Sequence, residues 1–300
     1  MCVVLAVTLL IFSGCSGNAP ETQEGKTTVA TSFYPVYIFT LNLFNGIEEV
    51  DVKCMAEQSI GCLHDYTLTA KDAKLLSDAQ VLVINGAGME SFLQDAFQSV
   101  PNLNVIDSSE NIELICKGDH HHEEDNNDHH HHENSHIWLS VENAKKQVEN
   151  IKNGIIKEFP QYKKQIEENY SDYIKRLDAL EKQRKSVASV AKGLNTISFH
   201  GAFEYLAEDV CFDVSVTIES DEGYEPSAKE LANLSDKMKN ESINALFIAP
   251  DYSGSAAEIL GRESNAEIYV LNPVISGEEN LTAYEDIMKE NYKVILKAVK

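Results

Sequence analysis

The stretch PQYKKQIEENYSDYIKRLDAL, residues 160–180, decides the architecture of this chain. Its apolar residues recur at steps of four, four, three, four and three, which places their side chains on one face of an α-helix. These residues are Tyr162, Ile166, Tyr170, Tyr173, Leu177 and Leu180. Pro160 stands where the first turn of such a helix begins. Continued towards Val190, the helix would be about 45 Å long, enough to run the length of a small domain.

Short apolar runs alternate with helical patterns on both sides of this helix. The predicted strands are residues 29–33, 50–55, 81–86 and 104–107 before it, and 196–199, 213–218, 245–248 and 267–271 after it. Thr69 and Asp72 have the spacing of a capping box, which predicts that a helix begins there. Strands alternating with helices indicate parallel pairing. We therefore predict an α/β fold of two lobes, each with a mostly parallel sheet flanked by helices, joined by one long linking helix with a cleft between them.

Length and charge limit the class of protein. Three hundred residues with 43% apolar content are enough for two hydrophobic cores. The 48 acidic and 25 basic residues give a net charge of −23, which repels nucleic acid and raises the local concentration of cations. We expect no nucleic-acid partner, and we expect a monomer.

The N-terminus has the features of an export signal. Residues 3–12 form an apolar run of signal-peptide length that is too short to span a bilayer. The run ends at Phe12-Ser13-Gly14-Cys15, which resembles the cleavage site of bacterial lipoproteins. We predict a signal peptide over residues 1–14, lipid attachment at Cys15, and a tether over residues 15–27 that anchors the protein outside the cytoplasm, on the bacterial cell membrane. The alternatives are an uncleaved anchor or a buried strand.

The rest of the chain divides at the long helix. We predict a first lobe over residues 28–158, a linking helix over 159–192 and a second lobe over 193–300. Residues 117–135 of the first lobe contain seven histidines and six acids but no apolar residue, so they predict a surface loop. Three roles fit this loop: a weak collector of metal ions, a sensor of zinc abundance, or a solvated linker without a role. We favour the collector, whose ligands would be His120, His121, His122, His129, His130, His131 and His132.

Only three histidines lie outside the histidine run, and each of them lies at a predicted element boundary. His64 follows the second strand, His136 immediately precedes a helix, and His200 directly follows a strand. Strand ends and helix starts are where α/β sheets expose functional side chains. Neutral imidazoles suit Zn²⁺ and leave a fourth position for a carboxylate or water, whereas Mn²⁺, Mg²⁺ and Ca²⁺ prefer oxygen. We predict a zinc site at these histidines, although Ni²⁺ and Cu²⁺ also bind imidazole.

A competing motif overlaps one of these histidines. Residues 132–136, His-Glu-Asn-Ser-His, match the H-E-x-x-H pattern of zinc metallohydrolases. That chemistry needs a helix to bring both histidines to one face, whereas Asn134 and Ser135 have the character of a loop and an N-cap. We interpret the match as a by-product of the histidine-rich tract and predict a binding protein, not an enzyme.

The residues taken together resemble the ZnuA-like solute-binding proteins of ABC importers. His136-Ile137-Trp138-Leu139-Ser140 is similar to the second ligand motif of that family, and His200-Gly201-Ala202-Phe203-Glu204-Tyr205-Leu206 to the third. His64, with Tyr66, Thr67 and Thr69 after it, resembles the first ligand segment. The resemblance implies extracellular Zn²⁺ capture, delivery to an ABC permease, and a metal site in the cleft. The implied alternatives within the family are Mn²⁺ and Ni²⁺ receptors.

The fourth ligand departs from the family pattern. The family often has Asp after the strand that corresponds to residues 269–271, whereas this chain has Asn272. An amide oxygen is a weaker, uncharged ligand. The fourth position therefore falls to Asn272, to water, or to a carboxylate such as Glu222.

Overall fold

The first lobe is a sheet of four parallel strands with helices packed against it. The structure is a computed structural model that describes residues 25–56, 66–93, 100–115, 133–218, 225–252 and 254–300. The elements of this lobe are β1 (Thr27–Thr31), α1 (Tyr34–Leu43), β2 (Val50–Cys54), α2 (Ala70–Asp78), β3 (Ala79–Ile84), a 3₁₀ turn (Ser91–Leu93) and β4 (Asn104–Asp107). The strand order is β2-β1-β3-β4. The inner strands bury Val29 and Ala30 of β1 and Val81, Leu82 and Val83 of β3 completely, as expected for strands that are covered on both faces.

Two long helices follow the first sheet. A 3₁₀ turn (Ile137–Leu139) leads into α3 (Val141–Glu158), and a second 3₁₀ turn (Pro160–Tyr162) leads into α4 (Lys163–Ala191). Helix α4 has 29 residues. Its predicted apolar face is buried at Ile166, Tyr173, Leu177 and Leu180. The sequence spacing thus predicted both the helix and the side that packs.

The second lobe repeats the first with different sequence. Its elements are β5 (Asn195–Ser198), α5 (Phe203–Val210), β6 (Asp213–Thr217), α6 (Ala228–Glu241), β7 (Ala245–Ile248), α7 (Ala256–Ser264), β8 (Glu267–Val270) and α8 (Ala283–Ala298). All strand pairs are parallel, in the order β6-β5-β7-β8. The predicted fold class, two parallel-sheet lobes with a long helix between them, is confirmed.

One hydrophobic core runs through both lobes and the linking helix. Phe39 of α1 packs against Tyr284 of α8, with ring centroids 5.1 Å apart, and against Tyr173 of α4 at 6.3 Å. The second lobe adds a smaller core of its own, in which Ile197, Leu246 and Leu260 are fully buried. Because the shared core contains apolar residues from both sheets, the lobes are held together by burial of apolar surface.

No helix among the described residues is both long enough and apolar enough to cross a membrane. The predicted signal peptide, the predicted lipid attachment at Cys15 and most of the predicted tether lie outside the described residues, which begin at residue 25. The seven loop histidines also lie outside them.

Candidate metal centre

His136 lies on a short irregular segment that joins the histidine-rich stretch to α3. It caps the 3₁₀ turn Ile137–Leu139 and is only 2% exposed. Trp138, in that turn, is fully buried and donates its indole N–H to the carbonyl of Pro273 in the second lobe at 2.8 Å. The carbonyl of Trp138 accepts a hydrogen bond from the Tyr284 hydroxyl at 2.7 Å. These contacts anchor the His136 segment to the second lobe.

His200 lies at the carboxyl end of β5, just before α5. Ser198 fixes its backbone: the Ser198 hydroxyl donates to the His200 carbonyl at 2.8 Å and accepts from the His200 N–H at 3.2 Å. The N–H of Ala202 donates to Nδ1 of the His200 ring at 3.0 Å. The side chain is 3% exposed. The strand end and the first turn of α5 thus hold both the backbone and the ring.

The structure brings His136 and His200 together at the junction of the two lobes. Their ring centroids are 5.3 Å apart and the rings are inclined at 77°. The two residues are 64 positions apart in sequence, and only the packing of the lobes makes them neighbours. Two adjacent buried imidazoles provide two nitrogen donors for a borderline metal ion.

The other predicted ligands are not found together with this histidine pair among the described residues. His64 and Glu222 lie outside the described residues. Within the described ranges, no three His, Cys, Asp or Glu side chains form a group that could hold a metal ion. The described part of the centre is therefore the pair His136 and His200.

Asn272 lies two residues beyond β8 and is held by local hydrogen bonds. Its side-chain oxygen accepts from the N–H of Val274 at 2.8 Å. Its backbone N–H and carbonyl both pair with the side-chain amide of Asn291, each at 2.8 Å. One of the two lone pairs of the amide oxygen that is proposed as a ligand is thus engaged in a turn.

One residue of this site was missed by sequence reasoning: Asn134. Its side-chain oxygen is 3.0 Å from the His136 backbone nitrogen and 2.9 Å from His136 Nδ1. Its side-chain nitrogen donates to the carbonyl of Gly201 at 2.8 Å and to the carboxylate of Glu204 at 3.0 Å. The signal available in the sequence was an asparagine, whose side chain can both donate and accept hydrogen bonds, two positions before the candidate ligand His136.

The segment that carries His136 is attached to α5 at both ends. Tyr205 donates its hydroxyl proton to the Asn134 carbonyl at 2.7 Å, and burial raises the pKa of this phenol to about 12. At the other end, Asp209 accepts from the Ser140 hydroxyl at 2.9 Å and from the Val141 N–H at 3.0 Å. Burial raises the pKa of Asp209. Since α5 begins just after His200, one helix positions both histidines.

A second missed residue, Glu90, is buried at the strand ends of the first lobe. Its carboxylate accepts from the Ser32 hydroxyl and the Asn85 N–H, both at 2.7 Å, and from the Gly86 N–H at 3.0 Å. Desolvation by burial raises its pKa to about 7. The Asn85 side chain donates to the carbonyl of Ser135, next to His136, at 3.0 Å. Nothing in the sequence around Glu90 distinguishes it from a surface acid.

Comparison with known proteins supports one family. The model of the family described as "Zinc-uptake complex component A periplasmic" matches residues 29–298. The chain is 32% identical to the high-affinity zinc uptake system protein ZnuA of Bacillus subtilis strain 168, over 96% of this chain and 93% of that protein. It is 29% identical to the zinc-binding lipoprotein AdcA of Streptococcus pneumoniae serotype 4, over 98% of this chain but only 59% of AdcA.

Solved structures agree with this assignment. The metal-dependent lipoprotein YcdH of Bacillus subtilis superposes with a TM-score of 0.74 at 29% identity, over 91% of this chain and 98% of YcdH. Matches of this extent in both sequence and structure leave one conclusion. This chain belongs to the ZnuA family, the periplasmic component A of zinc-uptake complexes.

Proposed function

We propose that this chain captures one Zn²⁺ ion outside the cytoplasm, at the junction of its lobes, and delivers it to the permease of an ABC importer. The observation that carries the proposal is the pair of buried imidazoles of His136 and His200, contributed by different lobes with ring centroids 5.3 Å apart. Family membership supplies the zinc-uptake role. The binding component of an uptake complex captures and transfers its cargo and does no chemistry on it.

The ligand set that we propose is His64, His136 and His200. His64 lies in the segment between β2 and α2, two residues before Tyr66, which is buried and donates its hydroxyl proton to Asp72 at 2.7 Å. Three imidazoles leave a fourth position for a tetrahedral ion. Asn272, Glu222 and water are the candidates, and the Asn272 oxygen is uncharged and is already held in a turn by the N–H of Val274. For this reason we favour water or Glu222.

The donor set also bears on which metal is the cargo. Nitrogen-rich sites suit Zn²⁺ and Ni²⁺ better than Mn²⁺, which prefers oxygen. The zinc-binding relatives favour Zn²⁺ over Ni²⁺. The competing metallohydrolase needs residues 132–136 on a helix, but residues 134–136 are irregular and a 3₁₀ turn begins only at Ile137.

Three further proposals concern the histidine-rich loop, the N-terminus and the domain boundaries. The histidine-rich loop would collect metal ions weakly, since its seven imidazoles and its carboxylates provide a high local concentration of ligands. Residues 1–14 would be a signal peptide, and Cys15 would carry the lipid. Residues 15–27 would tether a monomer that comprises the lobes 28–158 and 193–300 and the linking helix 159–192.

Zinc titration by calorimetry tests the cleft site. We expect one tight ion per chain, which His136→Ala and His200→Ala each abolish while the thermal unfolding transition of the metal-free protein changes little. Deletion of residues 118–132 is the matched control, because it removes the loop histidines but keeps both ends of the loop, Ile115 and Asn134, and the contact of each with Tyr205. The tight ion should survive this deletion. Wild-type affinity in either alanine variant would refute the site.

A further inference from the structure

The side-chain amide of Asn134 makes four hydrogen bonds at the centre of the site. Its oxygen is close to the backbone nitrogen and to ring Nδ1 of His136, at 3.0 and 2.9 Å. Its nitrogen is close to the Gly201 carbonyl and to the Glu204 carboxylate, at 2.8 and 3.0 Å. Asn134 itself is 1% exposed. An amide has two acceptor sites and two donor protons, so all four are used.

These partners fix the orientation of the amide. A backbone N–H can only donate, so the atom that faces the His136 N–H must be the amide oxygen. A carbonyl and a carboxylate can only accept, so the atom that faces Gly201 and Glu204 must be the amide nitrogen. The amide oxygen then requires a proton on Nδ1 of His136. The lone pair of the neutral His136 ring therefore lies on Nε2.

The other half of the amide joins the two ligand segments. Gly201 is the residue after His200, and Glu204 is in the first turn of α5. Glu204 is itself oriented, because its second oxygen accepts from the Thr217 hydroxyl at 2.9 Å. The Asn134 side chain therefore sets the tautomer of His136. It also sets the distance between the His136 segment and the backbone next to His200. Hydrogen bonds of this kind to metal-binding histidines commonly affect metal affinity by about 10- to 100-fold.

We infer that Asn134 is the positioning residue of the zinc site, which presents Nε2 of His136 to the metal and holds the His136 segment against the His200 turn. This inference rests on the proposed function, since it takes these two histidines as ligands. Asn134 is not itself a ligand. Its removal should weaken zinc binding without changing the number of ions bound.

The first test is Asn134→Ala. We expect zinc affinity to fall by about tenfold or more, with one ion still bound. In the metal-free protein, a long-range ¹⁵N–¹H correlation spectrum should show His136 leaving the Nδ1–H tautomer, which a purely structural role would not change. The matched control is Asn150→Ala, because Asn150 also donates twice, to the carbonyls of Ser108 and Glu110, both at 2.9 Å, but contacts neither histidine. Its zinc affinity should equal that of the wild type.

The second test separates the two halves of the amide. Asn134→Asp keeps an acceptor for His136 but turns an oxygen towards the Gly201 carbonyl and the Glu204 carboxylate, so we expect a loss of about tenfold. Adding Glu204→Gln supplies an amide donor to that oxygen while the Gln oxygen still accepts from Thr217. The double variant should recover to within about threefold of the wild type. Glu204→Gln alone is the reference for the change at position 204, since the Thr217 hydroxyl can accept as well as donate.

The outcomes distinguish this inference from the proposed function. If His136→Ala and His200→Ala bind zinc like the wild type, the site itself is wrong. If both of those variants lose zinc but Asn134→Ala keeps wild-type affinity and the wild-type tautomer, only the role of Asn134 is overturned. Failure of Glu204→Gln to improve the Asn134→Asp variant would overturn the link between the two ligand segments.

Discussion

The two sheets have the same architecture but different side chains at the ends of their first strands. The residue after β1, Ser32, donates its N–H to Val83 of the neighbouring strand at 2.9 Å. The residue after β5, Phe199, makes the same bond to Phe247 at 2.8 Å. The next residue along the chain is Phe33 in the first lobe and His200 in the second. One scaffold therefore presents an aromatic hydrocarbon in one lobe and a candidate metal ligand in the other.

The surroundings of these two positions explain the difference. Phe33 packs edge-on against Trp138, with ring centroids 4.9 Å apart, and so it belongs to the core between the lobes. His200 faces His136 instead. Both side chains are 3% exposed. The two positions have corresponding backbones and equal burial. The identity of the side chain decides whether the position contributes to the core or to the candidate metal site.

The most direct test of this difference between the lobes is His200→Phe, which gives the second lobe the residue found at the corresponding position of the first. Zinc binding by zinc-finger peptides is worth about 10–16 kcal/mol; divided equally among four ligand positions, one lost ligand should cost about 2.5–4 kcal/mol, or about 60- to 700-fold in affinity. The fold should persist, because a Phe of equal burial occupies the corresponding position in the first lobe. Competition with a zinc-binding dye and circular dichroism measure the two effects.

The reciprocal change, Phe33→His, is the control. It should create no second zinc site, because among the described residues the ring at position 33 contacts Trp138 and no ring contact with a histidine is found there. A second tight ion in Phe33→His would show that the neighbouring His136 ring is not what makes position 200 a metal site. Wild-type affinity in His200→Phe would show that His200 is not a ligand.

In the first lobe, the buried carboxyl group of Glu90 lies at the strand ends. Its ionisation provides a second test of the difference between the lobes. The pKa of this carboxyl is raised by burial from 4.5 to about 7. The folded protein therefore binds the proton more tightly than the unfolded chain, and stability falls as the pH rises through this window. From pH 4.5 to pH 8 the loss should be about 3 kcal/mol. Glu90→Gln cannot ionise, so its stability relative to wild type should improve by that amount over the same range.

Urea unfolding at several pH values measures this difference, and Glu110→Gln, a change at an exposed acid, is the control. The Glu90→Gln variant also loses one acceptor for the N–H groups of Asn85 and Gly86, a cost that should not vary with pH. A pH-independent difference between Glu90→Gln and the wild type would contradict the raised pKa.

The sequence predicted the parts of the molecule that depend on local periodicity. The face of α4, the capping box of α2 and the βα alternation all follow from spacing of a few residues, and the structure confirms them. Asn134 and Glu90 were missed because their roles depend on partners up to 70 residues away, which only the packed lobes bring near. His200 could be proposed as a ligand from the sequence because a lone histidine at a predicted strand end carries a chemical signal of its own.

The smallest expected effects come from two capping boxes that occupy corresponding places in the lobes. Thr69 caps α2 and Ser227 caps α6, each with the side chain of the third helical residue bonded back to the cap. The partner of Thr69, Asp72, is buried and also accepts from the Tyr66 hydroxyl at 2.7 Å, whereas the box of Ser227 lies nearer the surface. Removing a donor from a buried carboxylate costs more than removing one from a solvated carboxylate.

Thr69→Ala should therefore lower the free energy of unfolding by about 1–2 kcal/mol, and Ser227→Ala by about 0.5–1 kcal/mol. Urea denaturation of both variants measures the difference, and Thr69→Ser and Ser227→Thr, which keep the hydroxyls, should each stay within about 0.5 kcal/mol of the wild type. Equal losses in the two alanine variants would mean that burial of Asp72 adds nothing to its cap. In that case the corresponding elements of the two lobes would be equivalent in energy as well as in topology, and the contrast between the lobes would be confined to their strand ends.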